Sequence, residues 1–460
     1  MARLWHAPRS TYRPGLHPAA GRATPRFDVG RLARRADGLL TVTHRHRARL
    51  ARLQAGGTVN NNTNFFADGK GPAAVLKHGV LKRYLSKFAG ATSSTSPGNR
   101  VGFLDGYAGE GEYVNPTTGE TSEGSPRIAL KIAADLRDLG REMRTVFVEK
   151  DKKAFTSLKS VVDSASDPHA VALHGDIAQH ISGALIHFQN MPALVFLDPF
   201  GSALDHATTV NAILGRPGTQ PTELLLNFSL QALRRMGARI YEKEGASGRG
   251  ATLARVDHWL GGDWWREHFQ APEILALPQK DRPHAASLRV ADLHASRIRD
   301  ATNCGRYSVP IHRRPADKPI FVLMLFYPRQ IAAFPFNEAV SLALEDWRKF
   351  LHEVDLAEAE LADRAAVALI SAAESTRIQF EADEAAIKRD AIHSIKNAIT
   401  EALVTRQRLS VRSELSLVMG GALGIGRTLH LRAAWKELAK EGIVTDCPKG
   451  ALDKAVITKA

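Results

Sequence analysis

Apolar and polar positions along the chain alternate between short strand-like runs and longer helix-like ones. The run over 101–104 ends on Asp105 and a turn holding Gly106, Gly109 and Gly111, and the run over 194–197 ends on Asp198-Pro199-Phe200-Gly201. A short apolar run closing on a carboxylate and a glycine or proline turn is how a buried parallel strand delivers an acid to the carboxyl edge of a sheet. Further runs over 145–148, 170–173, 193–197 and 223–226 end on Glu149, on His174-Gly175-Asp176, on Asp198 and on Asn227-Phe228. Helical spacing over 74–85, after Gly124-Ser125-Pro126 and over 155–162 separates them, with Ser125 expected as N-cap and Pro126 at the first helical position. The alternation predicts right-handed crossovers and a doubly wound α/β sheet. Runs at 307–312 and 320–327 predict a closing hairpin, and the polar residues 112–124 an inserted loop.

The rest of the pattern is helical. Residues 231–290, with Trp259, Trp264 and Trp265, read as an insert that covers a substrate or packs on the sheet. Residues 338–400 lack Pro and Gly and predict one or two long helices. Beyond them come a helical end to 405, a turn at 407–410, a segment over 411–419, the glycines at 420, 421, 424 and 426, an amphipathic helix over 428–441 and strand-like runs at 442–444 and 455–457. This is a winged-helix pattern, in which Arg427, His430, Arg432 and Lys436 serve phosphate contact or form the solvated face of a protein-binding module. The expected division is a basic extension over 1–63, a Rossmann-like domain over 64–350, a helical linker over 351–394 and a winged-helix-like module over 395–460.

Composition adjusts this picture in few places. The 460 residues are 44% hydrophobic and 24% charged, ordinary globular usage with room for several domains. No apolar run approaches membrane-spanning length, so no membrane contact is expected. Cys304 and Cys447 stand far apart, which argues against a cysteine metal cluster and suits a reducing cytosol. The net charge of +14 is concentrated, because residues 1–60 hold twelve Arg and two Asp while residues 351–394 carry a net −6. The first sixty residues read as a basic arm for nucleic acid, an Arg-rich transit peptide or a disordered extension.

The acids at the strand ends are the candidate chemistry. Ligands of open α/β sheets bind at the carboxyl edge, so the turns after 105 and 198 propose one pocket with a cofactor on the first and a substrate on the second. Glu149 reads as a ribose acceptor or an exposed strand-end acid, Asp176 as an acceptor from an adenine amine or a turn residue, and Lys77 and His78 as cofactor-carboxylate ligands or solvated helix residues.

These motifs carry a resemblance. Leu76-Lys77-His78, the stretch from Leu104 to Tyr113, Gly124-Ser-Pro, Val148-Glu149-Lys-Asp151, Gly175-Asp176, Phe196-Leu-Asp-Pro-Phe-Gly201 and the run ending on Asn227-Phe228 resemble the three-Cys-motif partner (TcmP) family over roughly residues 64–350. The first elements are also similar to bacterial large-subunit ribosomal RNA adenine-N6 methyltransferases, and Asp-Pro-Phe-Gly to tRNA guanine-N2 dimethyltransferases. The resemblance implies a Rossmann-like methyltransferase domain using S-adenosyl-L-methionine on an exocyclic amine of a nucleic acid base, with no metal. Position by position it implies Asp105, Gly106, Gly109 and Gly111 on the methionine side, Glu149 at the ribose, Asp176 at the adenine, Lys77 and His78 at the cofactor carboxylate, and Asp198, Pro199, Phe200 and Gly201 at the target amine. The alternative is a cofactor-binding, non-catalytic partner subunit of a three-Cys-motif protein in a defence or modification cassette.

Overall fold

The computed structural model describes residues 71–114, 121–218, 220–365 and 371–460. The expected extension over 1–63 lies outside the described residues.

Seven strands form one sheet: β1 (Arg100–Asp105), β2 (Glu142–Glu149), β3 (Ala170–His174), β4 (Ala193–Leu197), β5 (Thr222–Ser229), β6 (Gly305–Ile311) and β7 (Phe321–Tyr327). Their order is β3-β2-β1-β4-β5-β7-β6. The first five are parallel, and β7 and β6 run antiparallel to their neighbours as the expected hairpin. Every residue of β4 and β5 is buried, the continuous apolar signature of strands covered on both faces. The fold is mixed α/β with a seven-stranded, mostly parallel sheet, consistent with the expected Rossmann-like class.

One face carries α1 (Pro72–Ser93), α2 (Ser125–Asp138) and α3 (Lys152–Ser164). Leu76, Val80, Leu81, Tyr84, Leu85 and Phe88 make the buried stripe of α1, spaced for one helical face. The other face carries α4 (Ile177–Ile186), α5 (Leu230–Gly237), α6 (Arg249–Leu260) and α7 (Arg282–Thr302). Trp259 stacks on Phe228 of β5 at 4.8 Å and Trp265 is fully buried, so the insert packs on the sheet, and its helices run past the expected limit at 290 to Thr302.

Two helices follow, α8 (Ala333–Ala365) and α9 (Ala372–Val404). α8 lies against α1 and crosses residues 350 and 351 without a break. The C-terminal part contains a short helix over Leu415–Met419 and α10 (Thr428–Lys440). The expected turn at 407–410 is a strand, Arg408–Ser410, paired with Val456–Thr458, and the expected strand at 442–444 is reduced to a bridge between Val444 and Lys459. This part is tied to α8 by Asn337, whose Oδ1 accepts from Tyr307 Oη and Gly424 N at 2.8 Å each and whose Nδ2 donates to Gly426 O at 2.8 Å.

Two local expectations change. Of the residues expected as an inserted loop, Glu112–Val114 and Thr121–Glu123 pair antiparallel as the two strands of a small hairpin. The N-cap of α2 is Gly124, with Ser125 the first helical residue. A Cβ on Gly124 would stand 2.6 Å from the Gly111 carbonyl oxygen, so only glycine fits at the neck of the hairpin and the cap falls one residue early.

Gly102, buried in the middle of β1, is similarly constrained: a Cβ there would lie 2.4 Å from the Phe188 ring. Gly102→Ala is expected to destabilise the fold by about 1–3 kcal/mol through overpacking, read as a lower urea midpoint at unchanged m-value; an unchanged midpoint would show that Phe188 has room to move.

Candidate active site

Alternate residues of a strand share a face, and this brings the strand-end polar groups together. Phe103, Phe147, Phe196 and Leu225 all belong to the core layer beneath α1 and α8, while Leu104, Val148, Leu197 and Leu226 belong to the opposite layer. Two residues beyond each member of the first set stand Asp105, Glu149, Asp198 and Asn227. The four polar ends therefore emerge at one edge and on one face, that of α1.

Asp198 is the most heavily engaged. Lys77 Nζ of α1 donates to both its oxygens, at 2.8 Å to Oδ1 and 2.7 Å to Oδ2, and Asn227 Nδ2 donates to Oδ1 at 2.6 Å. Lys77 also lies 4.9 Å from the centroid of the Phe321 ring, within range for a cation–π contact. Lys77, expected at a cofactor carboxylate, thus holds the carboxylate of the chain's own Asp198. Next along the loop, Phe200 is 97% exposed, an orientation that costs hydrophobic free energy in the absence of a partner surface. Gly201 follows it in the same loop.

Asp105 is the opposite case. It is fully buried, its Oδ1 accepts from Tyr107 N at 3.1 Å, and its Oδ2 has no hydrogen-bond partner. Its carboxyl is raised to about 7: burial is the largest cause and the charges of Asp198 and Glu149 act in the same sense, while the Ser125 hydroxyl and the Tyr107 amide oppose the rise. Asp105 lies opposite Phe196 in the register of β1 and β4, so the two acids end neighbouring parallel strands at one edge. The small hairpin meets the start of α1 here, with the His78 and Tyr113 rings 5.7 Å apart. Burial first, then Asp198 and Asp105, pushes the Tyr113 phenol to about 12, although 41% of that residue reaches solvent.

The glycine turn connects this centre to Glu149. Gly109, at φ 63°, donates its N–H to Glu149 Oε2 at 2.8 Å, and Asp151 N donates to Oε1 at 2.6 Å. A Cβ at Gly109 would meet nothing within 4 Å, so that position is needed for its backbone angle and faces open space. Gly106 is required for packing, since its Cβ would lie 2.6 Å from Leu197. Asp176 stands one strand further out as N-cap of α4, held by Ala178 N at 3.0 Å and Lys150 Nζ at 2.9 Å; the Lys150 bond lowers its carboxyl below the usual range.

Every expected site residue therefore lies along the carboxyl edge or on the start of α1. The structure adds three that the sequence reading did not single out as site residues: Asn227, Phe321 and Tyr113. Asn227 carried a usable signal, because it ends an apolar run as Asp105 and Asp198 do. Of the basic residues on or beside α10, Arg427 pairs with Glu345 at 2.6 Å, His430 is buried, and Arg432 donates to Pro448 O and Gly450 O at 2.5 and 2.6 Å. Arg427 thus ties the module to α8, His430 and Arg432 are used within it, and Lys436 is exposed.

No protein-family profile matches the sequence, and no curated protein matches it. Solved structures similar to it include the methyltransferase domain of a bacterial CtHen1, at 10% identity over 55% of this chain and 99% of that one with a TM-score of 0.27. A dimethyladenosine transferase from Plasmodium falciparum matches at 9% identity over 78% of this chain and 96% of that one, with a TM-score of 0.25. A SAM-dependent methyltransferase from Thiobacillus denitrificans in complex with S-adenosyl-L-homocysteine matches at 11% identity over 53% and 89%, with a TM-score of 0.22. Likeness at this level assigns neither substrate nor activity. Among the described residues, no helix is long and apolar enough to cross a membrane.

The raised Asp105 carboxyl makes stability depend on pH. An unfolded aspartate titrates near ~3.9, whereas Asp105 in the fold titrates at about 7, so between these values the folded chain binds more protons. Stability is full below the lower value and is lost as pH rises through about 7, by at most about 1.4 kcal/mol per pH unit for one group. Glu223, raised to about 7 by burial against the opposing Tyr84 hydroxyl, acts in the same sense. Urea midpoints at pH 5 and pH 8 are expected to fall for the wild type and to fall less for Asp105→Asn; equal slopes would show that Asp105 is not the buried acid described.

Proposed function

We propose that this chain is an S-adenosyl-L-methionine-dependent methyltransferase acting on an exocyclic amine of a nucleic acid base. The observation that carries this reading is an anchored carboxylate, Asp198, leading directly into a loop that presents the bare ring of Phe200 at the carboxyl edge.

The residues present suit the cofactor. Asp105 offers a buried oxygen without a donor, the turn at Gly109 leaves open space beside its backbone, and Glu149 stands at the tip of the next strand, where a ribose diol would be accepted. When bound, that cofactor supplies a methyl group on a sulfonium centre, poised for displacement. Asp105 and Glu149 would hold it, with Asp176 at the outer end.

The chain's own groups would then position and activate the amine. An exocyclic amine is a weak nucleophile because its lone pair is delocalised into the ring, and hydrogen bonds from its N–H groups pull the nitrogen towards tetrahedral geometry. Asp198 Oδ1 already accepts from both Lys77 and Asn227, whereas Oδ2 accepts from Lys77 alone. A carboxylate oxygen has two lone pairs, so Oδ2 is the atom that takes the amine N–H and the proton that the nitrogen gives up, with the Pro199 carbonyl as second acceptor. Phe200 would stack on the base, and Gly201 leaves the approach beneath it clear. Positioning and electrostatics supply the catalysis. A base in a duplex would have to be extruded to reach this edge.

We read residues 395–460 as a winged-helix-like module. The reading is supported by the pairing of 408–410 with 456–458, the bridge at Val444 and the helix α10 before it.

Isothermal titration with S-adenosyl-L-methionine, followed by tritiated methyl transfer to total RNA and DNA, tests the proposal. Asp198→Ala is expected to keep cofactor binding within a few-fold and to lose roughly 10²–10³-fold in transfer rate. Phe200→Ala is expected to raise KM by about 5- to 150-fold, from a stacking contribution of about 1–3 kcal/mol per base. Full transfer by Asp198→Ala would remove the catalytic assignment.

A further inference from the structure

The carboxyl edge continues past Asn227 into a corner built from three elements. The register of β5 against β7 sets Ser229 opposite Phe321, so the turn over residues 312–320 lies on the same edge as Asp198 and Phe200. The first turn of α5 is tied to it by Gln231 N donating to Ile320 O at 3.2 Å. The start of α7 is tied to it by Lys318 Nζ and Asp281 Oδ1 at 2.5 Å. β7 lies two strands from β4, about 10 Å at roughly 4.8 Å per interstrand spacing.

This corner is basic. Arg234, Lys280, Arg313 and Lys318 are all exposed around it, against Asp281 and Asp317. Lys318 is paired with Asp281, and Arg314 beside it with Asp355. Arg234, Lys280 and Arg313 form no ion pair among the described residues. His284, at the start of α7, lies among these charges: its ring is lowered to about 4, first by burial and then by Lys318 and Arg234, with His312 acting in the same sense and Asp281 opposing. Unpaired guanidinium and ammonium groups on the same edge as an exposed aromatic ring supply the two elements of a single-strand binding surface, the cations following phosphates and the ring taking a base.

We propose that the corner formed by α5, the 312–320 turn and the start of α7 is the docking surface for the backbone of a single-stranded nucleic acid whose target base reaches Phe200 and Asp198. This rests on the functional reading above and goes beyond it in assigning the polynucleotide path to the β5–β7 side of the edge. The basic residues near α10 are poorer candidates, because Arg427 and Arg432 are spent on Glu345 and on backbone carbonyls. Arg234, Lys280 and Arg313 have no such employment.

The test is binding of fluorescein-labelled 20-nucleotide single-stranded RNA and DNA to the full-length chain across a salt titration, by anisotropy. Removing three cations that contact phosphates lowers the slope of log K against log salt by about 2, at about 0.7 per phosphate on a single strand. The variant R234A/K280A/R313A is expected to show that change and at least a ten-fold weaker affinity at low salt. The matching variant K436A/K440A/K449A, which removes three exposed lysines near the C-terminus, is expected to behave as the wild type. Equal slopes for R234A/K280A/R313A and the wild type, or loss confined to K436A/K440A/K449A, would overturn the proposal. So would binding of anionic phosphatidylserine vesicles in place of both oligonucleotides. Oligonucleotide binding that depends on this corner, without methyl transfer, would uphold the docking surface and overturn the catalytic reading instead.

Discussion

The placement of Asp198 depends on one polar cluster, in which a carboxylate at the end of β4 is neutralised by Lys77 and hydrogen-bonded by the uncharged amide of Asn227. The side chains of Lys77 and Asp198 are only 12% and 15% exposed, and taking two ions out of water costs several kcal/mol each unless the geometry is good and the remaining bonding sites are filled. Two short bonds from Lys77, one from Asn227 and the face of Phe321 meet that condition. The constraint propagates outward, because Lys77 reaches Asp198 only if the first turns of α1 lie across the carboxyl edge. α1 is held there by its packing against α8, which is so close at Gly79 that a Cβ would sit 3.2 Å from that of Ala343.

The two acids of the centre divide the energetics between them. Asp198 is nearly saturated with donors, which fixes its direction and leaves one oxygen to accept more. Asp105 is fully buried with one oxygen short of a partner in good hydrogen-bond geometry, and the Ser125 hydroxyl and Tyr107 amide only partly offset the cost of that burial. The exposed Phe200 carries a second, hydrophobic cost of the same sort.

Much of this was legible in the chain. The buried parallel strands announced themselves as apolar runs ending in Asp105, Glu149 and Asp198, and period-two alternation then fixes their common face. The closing hairpin and the helical insert were equally plain, since both depend on local apolar pattern. What sequence could not supply was partner choice. Lys77 sits 121 residues from Asp198, and nothing local tells a helix-start lysine whether its acid will be the chain's own or a ligand's. Ser125 looked like an N-cap because its propensity is high, but a backbone contact between Gly124 and Gly111 decided the boundary. Arg427 and Arg432 looked free for phosphate because their acceptors, Glu345 and two carbonyls, are remote or lie in a loop without pattern.

We propose that Asp105 and Asp198 serve one cleft, the first for a sulfonium-bearing cofactor and the second for a base amine. It is tested most directly by a crystal structure of the chain with S-adenosyl-L-homocysteine. The homocysteine portion is expected against Asp105 and the Gly109 turn, the ribose on Glu149, and the sulfur directed at the space in front of Asp198 Oδ2. Density for the ligand away from the carboxyl edge, or a sulfur screened from Asp198 by protein, would contradict it.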